Sequence, residues 1–145
     1  MSQVDFYILP GADEDSRYQF LSKLATRAIS AGHWLYIHTD SEQFAERISE
    51  RLWQSTPESF LANSLPAEKI HAPILIGWQP EHFPKTPDML VNLSAFYPAQ
   101  TEQFNRIAEI VIQSDEVLAL TRQRFKEYQT AGIPPRMHDM RKRST

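Results

Sequence analysis

The chain contains no cysteine, which excludes disulfides, thiolate metal sites, iron–sulfur clusters and cysteine nucleophiles. It also has no apolar run of about 18 residues, the length that a membrane-spanning helix needs. The amino-terminal residues lack the basic segment that is typical of a secretory signal peptide. We therefore expect a soluble, cytoplasmic protein that has no membrane partner.

Glycine is scarce, with four residues in the chain: Gly11, Gly32, Gly77 and Gly132. None belongs to a GxGxxG or GxxxxGK[ST] pattern, whose glycines let backbone amides approach a phosphate. The sequence also has no GxSxG nucleophile motif and no HExxH zinc motif. Asp13, Glu14 and Asp15 are adjacent, but helix capping explains them more simply than a metal cluster does. We predict no catalytic residue, no metal and no cofactor.

The 145 residues have the composition of one globular domain, with 41% hydrophobic and 23% charged residues. Strand patterns lie at residues 4–9, 34–39, 74–76, 89–93 and 107–112, and helical patterns at 13–32, after 40–41 and at 115–132. Strands that alternate with helices predict a three-layer α/β/α domain over residues 1–132, with a largely parallel sheet. Residues 133–145, with two prolines and a basic cluster, are expected to form a flexible tail.

The charges are unevenly distributed, although the net charge of −3 argues against a general nucleic-acid coat. Residues 122–145 contain seven Lys and Arg against two acidic residues, whereas residues 1–121 contain eight against sixteen. A basic carboxyl-terminal end on an acidic body indicates an acidic partner, either a phosphate backbone or a carboxylate-rich peptide.

The last helical pattern places Arg122 and Lys126 one turn apart on a flank of the helix. Leu118 and Phe125 fall between this flank and the core stripe, so an apolar patch would border two cations. Such a surface suits a ligand with an apolar anchor and negative charge, and the alternative is an ordinary solvated flank. Arg124 points toward the core stripe, where it would need a carboxylate such as Glu109.

Two aromatic residues are further candidates for recognition. Trp53 lies about 130° from the middle of the apolar stripe of its helix, and it either binds a partner or packs under the following loop. Phe60 lies in an irregular segment, where it is either a core residue or an exposed anchor.

Several segments of the sequence are familiar in this order: LW at 52–53, PESF at 57–60, PILIGW at 73–78, LVNLS at 90–94, and RQRFKEY at 122–128 followed by Ala131 and Gly132. By these segments the chain resembles the chi subunits of bacterial DNA polymerase III, which are part of the clamp-loader assembly. The resemblance covers nearly the full length, as far as Gly132.

The resemblance implies an adaptor without an active site of its own, which binds the psi subunit and the acidic carboxyl-terminal tail of single-stranded DNA-binding protein. That tail ends in aspartates, an isoleucine, a proline and a terminal phenylalanine. By the resemblance, Arg122 and Lys126 would meet its carboxylates, while Phe125, Trp53 and Val111 would line the apolar pocket. DNA would be contacted only indirectly.

The same resemblance matches Phe60 to an aromatic on the psi-facing surface, which a helicase can also use. Leu118 stands where the family can carry a lysine, and Phe125 replaces a tyrosine, so we expect the same ligand with altered affinity. The alternative function is a module that binds single-stranded DNA directly through the basic carboxyl-terminal helix and tail.

Overall fold

The computed structural model describes residues 2–55, 63–66, 72–85, 87–95, 98 and 103–141. Within them the elements follow in the order β1 (Gln3–Ile8), α1 (Glu14–Ser30), β2 (Leu35–His38), α2 (Glu42–Ser55), β3 (Asn63–Ser64), β4 (Ile74–Gly77), β5 (Met89–Asn92), β6 (Arg106–Val111), α3 (Asp115–Thr130) and β7 (Pro135–Asp139), with a short 3-10 turn at Pro80–His82 between β4 and β5.

The described strands form one seven-stranded sheet in the order β3-β4-β2-β5-β6-β1-β7, and each neighbouring pair is parallel. The chain moves toward β3 through α1 and α2, and it moves in the opposite direction through α3. Because such crossovers share one handedness, α3 must cover the opposite face of the sheet. The structure therefore confirms the predicted three-layer α/β/α fold.

The helices begin where the sequence indicated. The Asp13 side chain accepts a hydrogen bond from the Ser16 amide at 3.1 Å, and the Ser41 hydroxyl accepts one from the Phe44 amide at 3.2 Å. Both bonds satisfy amides that have no partner within the first turn of their helix. Just after the carboxyl-terminal end of α3, Gly132 adopts φ 81°, a backbone conformation that favours glycine.

Two apolar cores lie between the layers, one on each face of the sheet. On one face, α1 and α2 pack their apolar sides on alternate residues of the strands, such as Ile37 and Val91. On the other face, α3 packs through Tyr128 on a second cluster that includes Phe6 and Ile107. The alternation follows from the pleat, because successive side chains of a strand point to opposite faces. The sheet is thus buried on both sides, as expected for parallel strands.

The predicted flexible tail is wrong for residues 135–139, because these residues form β7 and pair with β1. Asp5 of β1 is 2% exposed and accepts hydrogen bonds from Arg136 at 3.1 Å and from His138 at 2.8 Å. Composition alone suggested disorder, whereas this buried carboxylate attracts the basic residues of the segment to the sheet. Residues 142–145 lie outside the described part of the chain.

Candidate functional site

Helix α3 is fixed to the sheet by a buried charge network. Arg124, 3% exposed, donates from Nε to Oε1 of Glu109 at 2.9 Å, and Glu109 is 1% exposed. The other oxygen of Glu109 accepts hydrogen bonds from Tyr128 at 2.8 Å and from Asn92 at 2.9 Å. Burial raises the pKa of Glu109, against the opposing effects of Arg124, Asn92 and Tyr128. The predicted pairing of Arg124 with Glu109 is confirmed.

The opposite flank of α3 carries the two predicted cations. Arg122 and Lys126 are both exposed and lie one helical turn apart. Within the described residues, neither side chain has a salt bridge or a hydrogen bond to a protein partner. Their positive charge is therefore available to an anionic ligand.

An apolar patch adjoins these cations, as the sequence predicted. Leu118 and Phe125 are half-buried and pack against the core beneath α3. The ring centroid of Phe125 lies 5.7 Å from that of Phe6, which belongs to β1. Val111, at the end of β6, belongs to the same core cluster but is buried. Phe125 and Leu118 therefore supply the accessible apolar surface on this helix.

This flank of α3 faces β7. Arg124 reaches toward β6, where Glu109 lies, whereas Phe125 reaches Phe6 on β1. Since β1 lies between β6 and β7, the side of the helix that carries Arg122 and Phe125 is turned toward β7. We call this region the α3–β7 groove, and define it by Leu118, Arg122, Phe125 and Lys126 on α3 and Met137 on β7.

Met137 is the residue of this region that sequence reasoning missed. It is 49% exposed and pairs in register with Phe6, so its side chain lies on the same face of the sheet as α3. The prolines and basic residues of the segment predict a flexible tail. Its one visible signal is the isolated Met137 between the polar residues Arg136 and His138.

Trp53 does not belong to this groove. It is 54% exposed, but it lies on α2, whose Ala45, Ile48 and Leu52 pack on the face of the sheet opposite to α3. The prediction that Trp53 shares a pocket with Phe125 is therefore wrong, since helical spacing shows exposure but not which layer a helix occupies. Phe60 lies outside the described residues.

The described residues contain no group of three or more His, Asp or Glu side chains that could hold a metal ion. None of the described helices is long and apolar enough to cross a membrane.

Known proteins resemble this chain in sequence and in fold. Residues 1–136 match the family described as "DNA polymerase III chi subunit, HolC". The chain is 33% identical over 138 residues to the DNA polymerase III subunit chi of Pseudomonas aeruginosa, covering 95% of this chain and 96% of the relative. It is 30% identical over 129 residues to the Haemophilus influenzae protein of the same name, covering 88% and 90% of the two chains.

A third relative, the subunit chi of Escherichia coli, is 28% identical over 142 residues, with 92% of this chain and 95% of the relative covered. Among solved structures, the carboxyl-terminal domain of the DEAD-box protein Dbp5 superimposes with a TM-score of 0.62 at 12% identity, covering 95% of this chain and 91% of that chain. At this low identity the likeness to Dbp5 concerns the fold alone.

Proposed function

Because the chain belongs to the family of DNA polymerase III chi subunits, and so has an accessory role in DNA replication, we propose that it is an adaptor. One surface would bind the acidic carboxyl-terminal tail of single-stranded DNA-binding protein, and another would bind the psi subunit of the clamp loader. The adaptor would thereby connect the clamp loader to coated single-stranded DNA.

The observation that carries the proposal is the composition of the α3 flank. Two exposed cations, Arg122 and Lys126, adjoin the half-buried apolar side chains of Leu118 and Phe125. An acidic tail that ends in phenylalanine offers the complementary groups, with carboxylates for the cations and a ring for the apolar patch. A binding surface of this kind derives its anchor from the aromatic contact and its orientation from the charges.

Exposed ion pairs contribute about 0.2–1 kcal/mol each and are screened by salt. Binding through Arg122 and Lys126 should therefore weaken as the ionic strength rises, while the contact with Phe125 should persist. This combination distinguishes the acidic-tail site from a purely apolar docking surface.

The alternative of direct binding to single-stranded DNA relies on the basic carboxyl-terminal residues. Two of them have carboxylate partners, since Arg136 pairs with Asp5 at 3.1 Å and Arg141 pairs with Asp139 at 2.8 Å. These pairs reduce the positive charge that the segment can present to a phosphate backbone. The distribution of charge therefore favours the adaptor over the DNA-binding module.

We assign Trp53 to the psi-facing surface together with Phe60. Trp53 is exposed near the end of α2, and the chain reaches Phe60 seven residues later. An exposed tryptophan on the layer opposite to α3 suits a second partner, because Trp is enriched at the centres of protein interfaces. The two partners would then bind on different faces of the sheet.

A fluorescence titration tests the tail site with a labelled synthetic peptide that carries several aspartates followed by Ile-Pro-Phe. We expect Arg122→Ala and Lys126→Ala each to weaken binding several-fold, by about 1 kcal/mol or less for an exposed pair. Arg27→Ala is the matched control, since Arg27 is an exposed arginine on α1, on the other face of the sheet. Unchanged affinity in both α3 variants would contradict the assignment.

A peptide that ends in alanine instead of phenylalanine tests the apolar half of the site separately. A mobility-shift assay with bare single-stranded DNA tests the alternative function, because the adaptor should bind such DNA weakly at physiological salt. Tight binding to bare DNA, lost in the Arg122→Ala variant, would instead support the DNA-binding module.

A further inference from the structure

We infer that β7 forms the second wall of the peptide site, and that Met137 contacts the apolar end of the acidic tail. This inference rests on the proposed function, because it assumes that the tail binds along α3. It adds a residue on a different element, the edge strand β7.

The register of the sheet places Met137 in the groove. Met137 pairs with Phe6, and Phe6 packs against Phe125 of α3 at 5.7 Å between ring centroids. Paired residues on neighbouring strands lie about 5 Å apart and point to the same face. Phe6 is itself fully buried, and it connects Phe125 on α3 with Met137 on β7 along this face of the sheet.

The exposed side chain of Met137 is a candidate for contact with a ligand. Among the described residues, the large hydrophobic side chains that are exposed are Trp34, Trp53 and Met137. Trp34 precedes β2, and Trp53 lies on α2 on the other face of the sheet. Met137 is thus the one that lies beside β1 on the face of the sheet covered by the helix of Arg122 and Lys126.

The chemistry of the occupant follows from both walls. Methionine is flexible and polarizable, and its sulfur makes favourable contacts with the edge of an aromatic ring. The terminal phenylalanine of the tail would lie between Met137 and Phe125, with its carboxylate toward Arg122. An uncharged apolar peptide would leave both cations unpaired, so the charge on the groove favours an acidic occupant.

Asp5 acts as a positioning residue for this wall. It lies on the face of the sheet opposite to Met137, and its carboxylate accepts hydrogen bonds from Arg136 and His138, the two neighbours of Met137 in β7. Arg106 of β6 donates to the same carboxylate at 3.2 Å. These bonds join three strands. They therefore fix the register of β7 against β1, and with it the position of Met137.

The test uses the full chain and the same aspartate-rich peptide ending in Ile-Pro-Phe. We expect Met137→Ala to weaken binding about five-fold, which is less than the loss at an interface hot spot, and Met137→Leu to retain most of the affinity. Trp34→Ala is the matched control, because Trp34 is equally exposed but precedes β2, which β5 and β6 separate from β1. A Met137→Glu variant should weaken binding more than Met137→Ala, since it adds a like charge to the site.

The alanine-ended peptide identifies the contact. If Met137 touches the terminal ring, Met137→Ala weakens the phenylalanine-ended peptide but leaves the already weaker alanine-ended peptide unchanged. An Asp5→Asn variant should show the same selective loss, whereas a merely structural role would weaken both peptides equally.

The outcomes separate this inference from the proposed function. Unchanged binding in Met137→Ala, together with weaker binding in Arg122→Ala, overturns the role of β7 and leaves the tail site on α3. Absence of binding by the unaltered chain refutes the proposed function itself. Equal loss for both peptides in Met137→Ala also overturns the contact with the terminal ring.

Discussion

Replacing Arg124 by methionine should destabilise the protein strongly. Methionine has a similar length, but it removes the hydrogen bonds to Glu109 at 2.9 Å and to the carbonyl of Ala95 at 3.1 Å. Glu109, which is 1% exposed in the unaltered chain, would stay buried with Asn92 and Tyr128 as its remaining partners. Breaking one side of a buried ion pair costs about 3–5 kcal/mol, because an uncompensated charge stays in the interior.

Arg122→Met is the matched control for this experiment. The same substitution is made two positions earlier on the same helix, but at an exposed side chain without a salt bridge among the described residues. We expect its effect on the free energy of unfolding to be within about 0.5 kcal/mol. Urea unfolding followed by circular dichroism measures both variants, and the slope of the free energy against urea should be unchanged.

A third variant, with Glu109→Gln and Arg124→Met together, tests the cause of the loss. Removing both charges should restore part of the stability, because replacing a whole buried pair costs much less than breaking it. If the two single arginine variants differ by less than about 1 kcal/mol, Arg124 is not paired in the interior. In that case the pair of Arg124 with Glu109 does not hold α3 on the sheet.

Three further predictions concern other parts of the molecule. Burial alone would raise the pKa of Asp5, but hydrogen bonds from His138, Gln3 and Arg106 outweigh this effect, so its pKa lies below 3.8. The difference in the free energy of unfolding between the unaltered chain and Asp5→Asn should therefore be largest above pH 3.8 and shrink in acid as the carboxylate is protonated. Urea unfolding at a series of pH values measures this difference. Gly132→Ala should lower the free energy of unfolding by about 1 kcal/mol through the φ of 81° alone, since a Cβ there meets no atom within 4 Å; a loss above about 3 kcal/mol would contradict this. Trp53→Ala should change the free energy of unfolding by less than about 0.5 kcal/mol and leave the affinity for the acidic peptide unchanged, because the side chain is exposed on the layer opposite to α3. Weaker peptide binding would show that Trp53 does contribute to the peptide site.

Local signals in the sequence were sufficient for most of the fold. Three features depend on neighbouring residues, which is why composition and periodicity predict them: the N-cap at Asp13, the glycine that follows α3 at Gly132, and the buried strand β6. The partner of Arg124 was also predictable, because a charged residue on a core stripe requires an opposite charge nearby.

The remaining features depend on contacts between distant parts of the chain. β7 forms because Asp5, more than 130 residues earlier, binds Arg136 and His138, and no local pattern reports such a contact. The separation of Trp53 from Phe125 likewise follows from the direction in which the chain crosses the sheet. Helical spacing determines which side of a helix is exposed, but the order of the strands determines which helices share a surface.

The position of β1 has a consequence for the order in which the sheet can assemble. β1 precedes the other described strands in the chain, yet its neighbours in the sheet are β6 and β7, the last two of them. While the chain emerges from the ribosome, both edges of β1 stay open until residues 106–139 are available, and contacts so distant in sequence form slowly. A chain ending at Gly132 would keep one of these edges open permanently, so such a truncation should promote aggregation between copies.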